Sequence, residues 1–497
     1  MAYTDFTFFF FFLLVAGVYF VLPARGRRVW LLAAGLVFVA LWNVYSALSL
    51  LGVILVSYLG GRLLDHAAHS SASKHKKTIL AVFLCLLFGF LVILKYTELA
   101  ADTSVKVLNR LGGNITFDFP SLLLPVGLSF YTFAAAGYLI DVYRASIPAE
   151  TNPVTFSLFL AFFPNLTAGP IERSGNLLRQ IQNIDKIRLW SYKRLASGTL
   201  TVLWGYFLKL VLADRAAILV NEVFDGFWNY GSTELFIGAV VFSLQIYGDF
   251  AGGSYMALGF AEILGFDLID NFNAPYFSKS IKEFWRRWHI SLSSWFRDYL
   301  YIPLGGNRRG EGRKYLNMAI VFLVCGLWHG ANWTFLVWGA IHALYQLIGG
   351  LTRKRRMALY QKWQIDTASP VFRGLQTLCT FLLTTIAWIP FRANSLQEAG
   401  LYLWRMLTQI NLWHVMNGTI YELGLDVTEM NLLFIAVLVV FLVDYLRYKK
   451  EKNFVQLVKT QQFWVRALIA AALVTVILFF GCYGSRFGES AFIYAEF

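Results

Sequence analysis

The sequence predicts an all-α, polytopic integral membrane protein. Three observations carry that prediction. Hydrophobic residues make up 58% of the 497 positions and charged residues 14%, against the roughly 25% charged share of soluble domains. Apolar segments long enough to cross a bilayer recur along the whole chain. The basic residues behind the net charge of +14 fall in short clusters between those segments. No long polar or Pro/Gly/Ser-rich linker interrupts the pattern, so the chain reads as one membrane domain over residues 1–497, with its chemistry-bearing motifs within about 121–350.

A spanning helix needs about 20 mostly apolar residues. The first apolar run, 6–22, lacks a basic region before it and a small-residue cleavage site after it, so it reads as a retained helix with its N-terminus outside. Further spans are predicted at 29–48, 78–96, 121–140, 195–220, 236–264, 372–389, 432–446 and 465–482. The runs at 46–64, 155–166, 316–328 and 333–348 are shorter or broken by Gly, Asn and His, which suits tilted or re-entrant helices. The total comes to roughly ten to thirteen membrane helices.

Lys and Arg accumulate in cytoplasmic loops. That rule places Arg25, Arg27, Arg28, Lys74, Lys76 and Lys77, and the clusters at 186–194, 308–314, 353–356 and 447–452, on the inner side. Outer loops are then expected at 99–120, 221–233 and 393–429, with an outer C-terminus. Basic charge scattered in this way is topology, not a nucleic-acid footprint. The four cysteines, Cys85, Cys325, Cys379 and Cys482, lie in or beside apolar runs without paired spacing, so no disulfide framework follows.

Two regions depart from plain spans. Residues 163–173 place two prolines, a glycine and polar groups within or just after an apolar run, and their backbone must find partners in protein or in a wet cavity. Residues 270–306 interleave Trp, Arg and Lys at short spacing, which suits a half-inserted segment at the cytoplasmic interface.

Ionisable side chains in membrane-spanning sequence are costly and point to function. His329 lies in Cys325-Gly326-Leu327-Trp328-His329-Gly330-Ala331-Asn332-Trp333, forty residues after His289 in Trp285-Arg286-Arg287-Trp288-His289. A neutral imidazole can take a proton from a hydroxyl or thiol and return it. In that reading Gly326 and Gly330 let backbone approach a substrate, Trp328 and Trp333 form flat walls, and Asn332 offers an amide. Helix packing is the alternative for either histidine. Arg286 and Arg287, with Lys279 and Lys282, can hold the phosphates of an anionic donor; equally, they can anchor Trp285 and Trp288 at the headgroup layer. Asp249, in Tyr247-Gly248-Asp249-Phe250-Ala251-Gly252, is either a substrate contact or the partner of an arginine or broken helix among small residues. His342 reads as helix packing, His414 as part of the long outer loop, and His66, His69 and His75 as a solvated loop. Cys325 stands one helical turn before His329. No HExxH, Walker A or GxSxG pattern occurs.

These residues resemble the membrane-bound O-acyltransferase family, in particular the bacterial branch that contains alginate O-acetyltransferases and teichoic acid D-alanyl transferases. The resemblance covers nearly the whole chain: the Phe-rich start, Pro125-Val126-Gly127-Leu128-Ser129-Phe130-Tyr131-Thr132-Phe133, Ala168-Gly169-Pro170-Ile171, the Asp249 motif, the 284–306 stretch and Trp328-His329-Gly330. It implies helices around a central tunnel, His329 as the essential residue and His289 as the second polar site. It also implies an acyl thioester such as acetyl-CoA as donor, with no tightly bound cofactor. The length and the Ala-Gly-Pro-Ile form favour acetyl over D-alanyl. Glu172-Arg173 departs from the alginate members, which leaves another exported polysaccharide or peptidoglycan as acceptor. The resemblance further implies the bacterial cytoplasmic (inner) membrane, an extracytoplasmic SGNH-type transferase as partner beside polysaccharide synthesis and export machinery, and outer loops such as 393–429 as docking surfaces. A transporter or flippase for a lipid-linked sugar is the competing class.

Overall fold

The computed structural model describes residues 1–69, 74–113, 116 and 123–483. Among them every regular element is a helix. Among the described residues, eight helices are long and apolar enough to cross a membrane: Val44–Ala68, Lys76–Arg110, Tyr192–Asp225, Ser232–Leu264, Trp333–Leu351, Pro370–Arg392, Val427–Lys450 and Phe463–Phe480. Shorter helices, including Phe6–Val21, Ala24–Ala40 and Leu128–Tyr143, complete the set. The start of the 121–140 span, part of the 99–120 loop and the C-terminal tail fall outside the described residues.

One predicted span is corrected. Residues 29–48 straddle a break, because the Ala24–Ala40 helix ends before Asn43, whose side chain accepts from the Tyr45 amide at 2.8 Å and starts a new helix, Val44–Ala68. The 46–64 run, expected to be short or broken, therefore belongs to a full 25-residue span. An Asn cap inside apolar sequence stops one helix and begins the next without altering the hydropathy around it.

The chain, read as continuous from its sequence, clusters into two compact units: residues 1–199 with 257–269, and residues 200–256 with 270–497. In the first unit a cluster of rings from Tyr3, Phe8, Phe12, Phe38, Phe163 and Phe260 forms the core around the Phe-rich N-terminal helix. The 163–173 region is indeed not a span. It is a short 3₁₀ turn followed by buried irregular chain, and its backbone is answered from within the protein: the Tyr3 hydroxyl donates to the Pro164 carbonyl at 3.0 Å. Gly127 approaches this loop with φ +73°, where an added Cβ would lie 2.4 Å from the Leu166 oxygen. Only glycine meets both demands. Glu172 is buried and accepts from the Ile269 amide at 2.7 Å and from Asn176 Nδ2 at 2.8 Å, so it ties one stretch of irregular chain to another.

In the second unit, the helices Tyr192–Asp225 and Ser232–Leu264 touch backbone to backbone. A Cβ on Gly205 would meet the Gly252 oxygen at 2.7 Å, and one on Gly248 the Leu208 oxygen at 3.0 Å. Small residues permit such contact between membrane helices. Beside the crossing, residues 207–213 widen into a π-helical segment. The widening frees the Leu210 carbonyl, which accepts from the Cys482 amide at 3.0 Å. Arg215, one turn on, bonds the Phe480 carbonyl at 2.7 Å and pairs with Glu429 at 2.5 Å. The end of the last helix is thereby latched to the interior of this unit. Residues 270–306 form short broken helices, Ile281–Arg287 and Ile290–Phe296, and a second π-helical turn, as expected of a segment that does not span.

Candidate active site

His329 is the last residue of the Gly310–His329 helix, which turns at Gly330 and Asn332 into Trp333–Leu351. The hairpin is unusually close. A Cβ at Gly326 would lie 2.3 Å from the Phe335 oxygen, one at Gly339 2.3 Å from the Phe322 oxygen, and one at Gly330 2.1 Å from the Phe335 ring. This corrects the reading of Gly326 and Gly330 as room for a substrate: both are consumed by contact between the two helices. Asn332 is likewise engaged by backbone. Its Oδ1 accepts from the Thr334 amide at 3.0 Å and caps the second helix, while Nδ2 donates to the Asn394 carbonyl at 3.1 Å.

The His329 side chain is 2% exposed. Its ring is walled by Trp328 at 4.9 Å, Trp338 at 5.0 Å and Phe391 at 5.3 Å between centroids, all nearly edge to face. Trp338 supplies the wall that the sequence suggested for Trp333, which is 48% exposed. Trp328 also lies 5.8 Å from the His289 ring, so one indole contacts both histidines.

His289 stands in a strained turn at φ +43°, a left-handed conformation that a non-glycine residue adopts at a cost of about 1–3 kcal/mol. Asn271 holds it there. The Asn271 carbonyl accepts from the Ile290 amide at 2.9 Å, and its Oδ1 accepts from Ser291 Oγ at 2.6 Å and lies 3.4 Å from His289 Nδ1. With Nδ1 facing an oxygen acceptor, the ring proton belongs on Nδ1 and the lone pair on Nε2. His289 is outside the eight candidate spans, and burial lowers its pKa to about 3, which keeps the imidazole neutral.

A cavity of about 1960 Å³, partly open to the outside, lies in the same unit and is lined at Cys325, one turn from His329. Nine Lys or Arg side chains line it against two Glu, Glu283 and Glu311, so its field is strongly positive. The two predicted arginines differ. Arg287 is engaged by Glu283 at 3.0 Å, by the Asn273 carbonyl at 3.1 Å and by the Tyr448 ring, whereas Arg286 is exposed at the cavity wall. Trp285, Phe322 and Cys325 give the cavity an apolar inner part, and Cys325 is one turn from His329.

Asp249 lies away from this wall. The Lys209 ammonium sits 2.7 Å from Asp249 and 2.8 Å from Asp214, with all three side chains buried. The partner is a lysine of the π-helical segment, not an arginine. Sequence reasoning missed Lys209, Asn271, Phe391 and the role of Trp338; only Trp338, on the same helix face as Gly339 and His342 and one turn before the latter, had a periodic signal that would have found it.

The comparisons agree with this architecture. Residues 141–388 match the MBOAT, membrane-bound O-acyltransferase family. The chain is 38% identical over 409 residues to a probable alginate O-acetylase AlgI of Pseudomonas aeruginosa, covering 82% of this chain and 74% of that protein. It is 32% identical over 415 residues to a peptidoglycan O-acetyltransferase of Helicobacter pylori, covering 77% and 75%. A teichoic acid D-alanyltransferase of Streptococcus thermophilus is 29% identical over 253 residues, covering 48% and 60%. These relatives, with the family match and the long apolar helices, place the chain in the membrane-bound O-acyltransferase family, as a multi-pass membrane acyltransferase.

Proposed function

We propose that the protein takes an acyl group, acetyl, from a cytoplasmic thioester and passes it across the bacterial inner membrane for O-acetylation of an exported polysaccharide or cell-wall glycan, with His329 as the base. The observation that supports this most is that Cys325, one turn before the buried His329, lies on the apolar part of a cavity whose lining is otherwise strongly basic. Such a cavity suits a donor with a phosphate-bearing body and a thioester tip, such as acetyl-CoA, with no tightly bound cofactor required. Arg286, Lys279 and Lys282 hold the anionic body. The acceptor hydroxyl oxygen attacks the thioester carbonyl while its proton passes to His329. The tetrahedral intermediate then collapses, the C–S bond breaks, and the thiolate leaves with the proton returned by His329. Aromatic walls hold water back during the transfer. Neutral His289, beyond Trp328, assists on the donor side.

Acetyl is favoured over D-alanyl because the acetylating relatives align over about four-fifths of the chain and the D-alanyl relative over less than half. The acyl group is handed on to an extracytoplasmic SGNH-type transferase acting with the polysaccharide synthesis and export machinery. Exposed Trp404, Leu407, Trp413 and Met416 in the outer 393–429 stretch supply an apolar surface for that partner.

Proteoliposomes containing the purified protein, given labelled acetyl-CoA on one side and the SGNH-type partner with an acceptor oligosaccharide on the other, test the reading. Transfer that His329→Ala abolishes supports it. Glycan acetylation by the His329→Ala protein at the original level would sink it, and vectorial movement of a lipid-linked sugar without thioester turnover would instead identify a flippase.

A further inference from the structure

His342 reads from sequence as helix packing, and the structure gives it more than packing to do. It is fully buried on the Trp333–Leu351 helix, and its Nδ1 accepts the Trp285 indole N–H at 3.2 Å. Because an indole nitrogen only donates, the lone pair must be on Nδ1 and the ring proton on Nε2. The imidazole stands edge-on to two indoles, Trp285 at 5.0 Å and 85° and Trp338 at 5.0 Å and 74°. Trp285 is a wall of the basic cavity. Trp338 is a wall of His329, edge-on at 5.0 Å and 89°. The remaining ring neighbours are Phe284, Phe322, Trp388 and Tyr345, and none of them is a hydrogen-bond partner of the imidazole. A phenyl ring would pack among them without bringing a polar group out of water. What imidazole adds is the bond to Trp285.

We propose that His342 is a positioning residue that fixes Trp285 and Trp338, and thereby sets the geometry between the donor cavity and His329. The proposal rests on the reading of His329 as the base. It follows from the one-sided arrangement: a single ring is hydrogen-bonded to the cavity wall and braced against the wall of the histidine. A wall displaced by about 1 Å near reacting atoms is enough to lower a rate by about a hundredfold.

The test compares His342→Phe with His342→Asn in the full-length protein in proteoliposomes, measuring kcat, donor KM, thermal unfolding and near-UV circular dichroism of the indole cluster. His342→Phe removes an unpartnered buried Nε2–H together with the acceptor of the Trp285 N–H, so it should unfold near the wild-type temperature, yet lose about ten- to a hundredfold in kcat with donor KM within about threefold. His342→Asn keeps an acceptor near the place of Nδ1 and should recover much of that loss although it packs worse. A packing role reverses this order, leaving the Phe protein active and the Asn protein impaired, and would overturn the proposal, as would full activity in both. If the wild type turns over no thioester, or His329→Ala loses nothing, the reading of His329 falls instead. The dichroism then still decides about His342: a near-UV spectrum unchanged in His342→Phe means that this residue does not fix the indoles.

Discussion

Two polar sites interrupt the apolar interior of the same compact unit, and they are resolved in opposite ways. At Lys209 an ammonium lies between the carboxylates of Asp214 and Asp249, at 2.8 and 2.7 Å, so charge answers charge inside the protein. At His329 the surroundings are the flat faces and edges of Trp328, Trp338 and Phe391, with the inner end of a basic cavity one turn away. Both sites carry residue types that membrane sequence normally avoids. The difference teaches what to ask of a buried ionisable group: whether its neighbours are its counter-ions or the walls of a space that admits a guest. The first is architecture; the second is the setting that the proposed chemistry needs.

The comparison can be broken most directly at its two centres. His329→Ala should reduce acyl transfer by at least about a hundredfold while the protein inserts and unfolds as the wild type does; intact transfer, or a collapsed unfolding temperature, would erase the contrast. Lys209→Met should do the reverse. It leaves two buried carboxylates uncompensated and should lower stability by about 3–5 kcal/mol, with much of the loss recovered when Asp214→Asn and Asp249→Asn are added. Loss of activity in Lys209→Met at unchanged stability in detergent would move that cluster to the chemical side. Gly339→Val, which drives a branched side chain toward the Phe322 carbonyl, should cost about 1–3 kcal/mol and impair transfer beyond what the lost folded fraction explains, because the His329 helix must shift. The smallest effect is expected at Asn332→Ala: about 1 kcal/mol from the lost cap, with kcat within about twofold of wild type. A much larger fall in kcat there would mean that the amide serves the reaction as well as the helix.

Much of this was legible before any coordinates. Long apolar runs separated by basic clusters read directly as membrane helices, and the prolines of 163–173 and the mixed Trp/Arg stretch of 270–306 announced that those regions do not span. Both histidines stood out because imidazole is rare in such sequence. What remained hidden was tertiary. Asn271 shapes the His289 turn from eighteen residues away, and Lys209 meets Asp249 from forty residues away; neither pairing leaves a periodic trace. Gly326 and Gly330 looked like space for a ligand because a glycine in sequence does not say which neighbour approaches it. Asn332 looked like a substrate amide because a cap residue and a binding residue are the same residue type until the next helix is seen to begin at Trp333. The false span at 29–48 has the same origin in Asn43.

The closeness of the His329 hairpin has a consequence for variation. At Gly326 and Gly339 the two helices meet through main chain, so the location of His329 is dictated by carbonyl oxygens rather than by any particular set of interlocking side chains. The outward positions of the same helices, Leu316, Val324, Leu327, Val337, Leu344 and Ile348, are all exposed. Those positions can therefore be changed to match a thicker bilayer, another detergent or a polymer belt while the His329 hairpin keeps its geometry. An engineer seeking a more tractable version of this enzyme has that surface to spend, provided the two glycines are left alone.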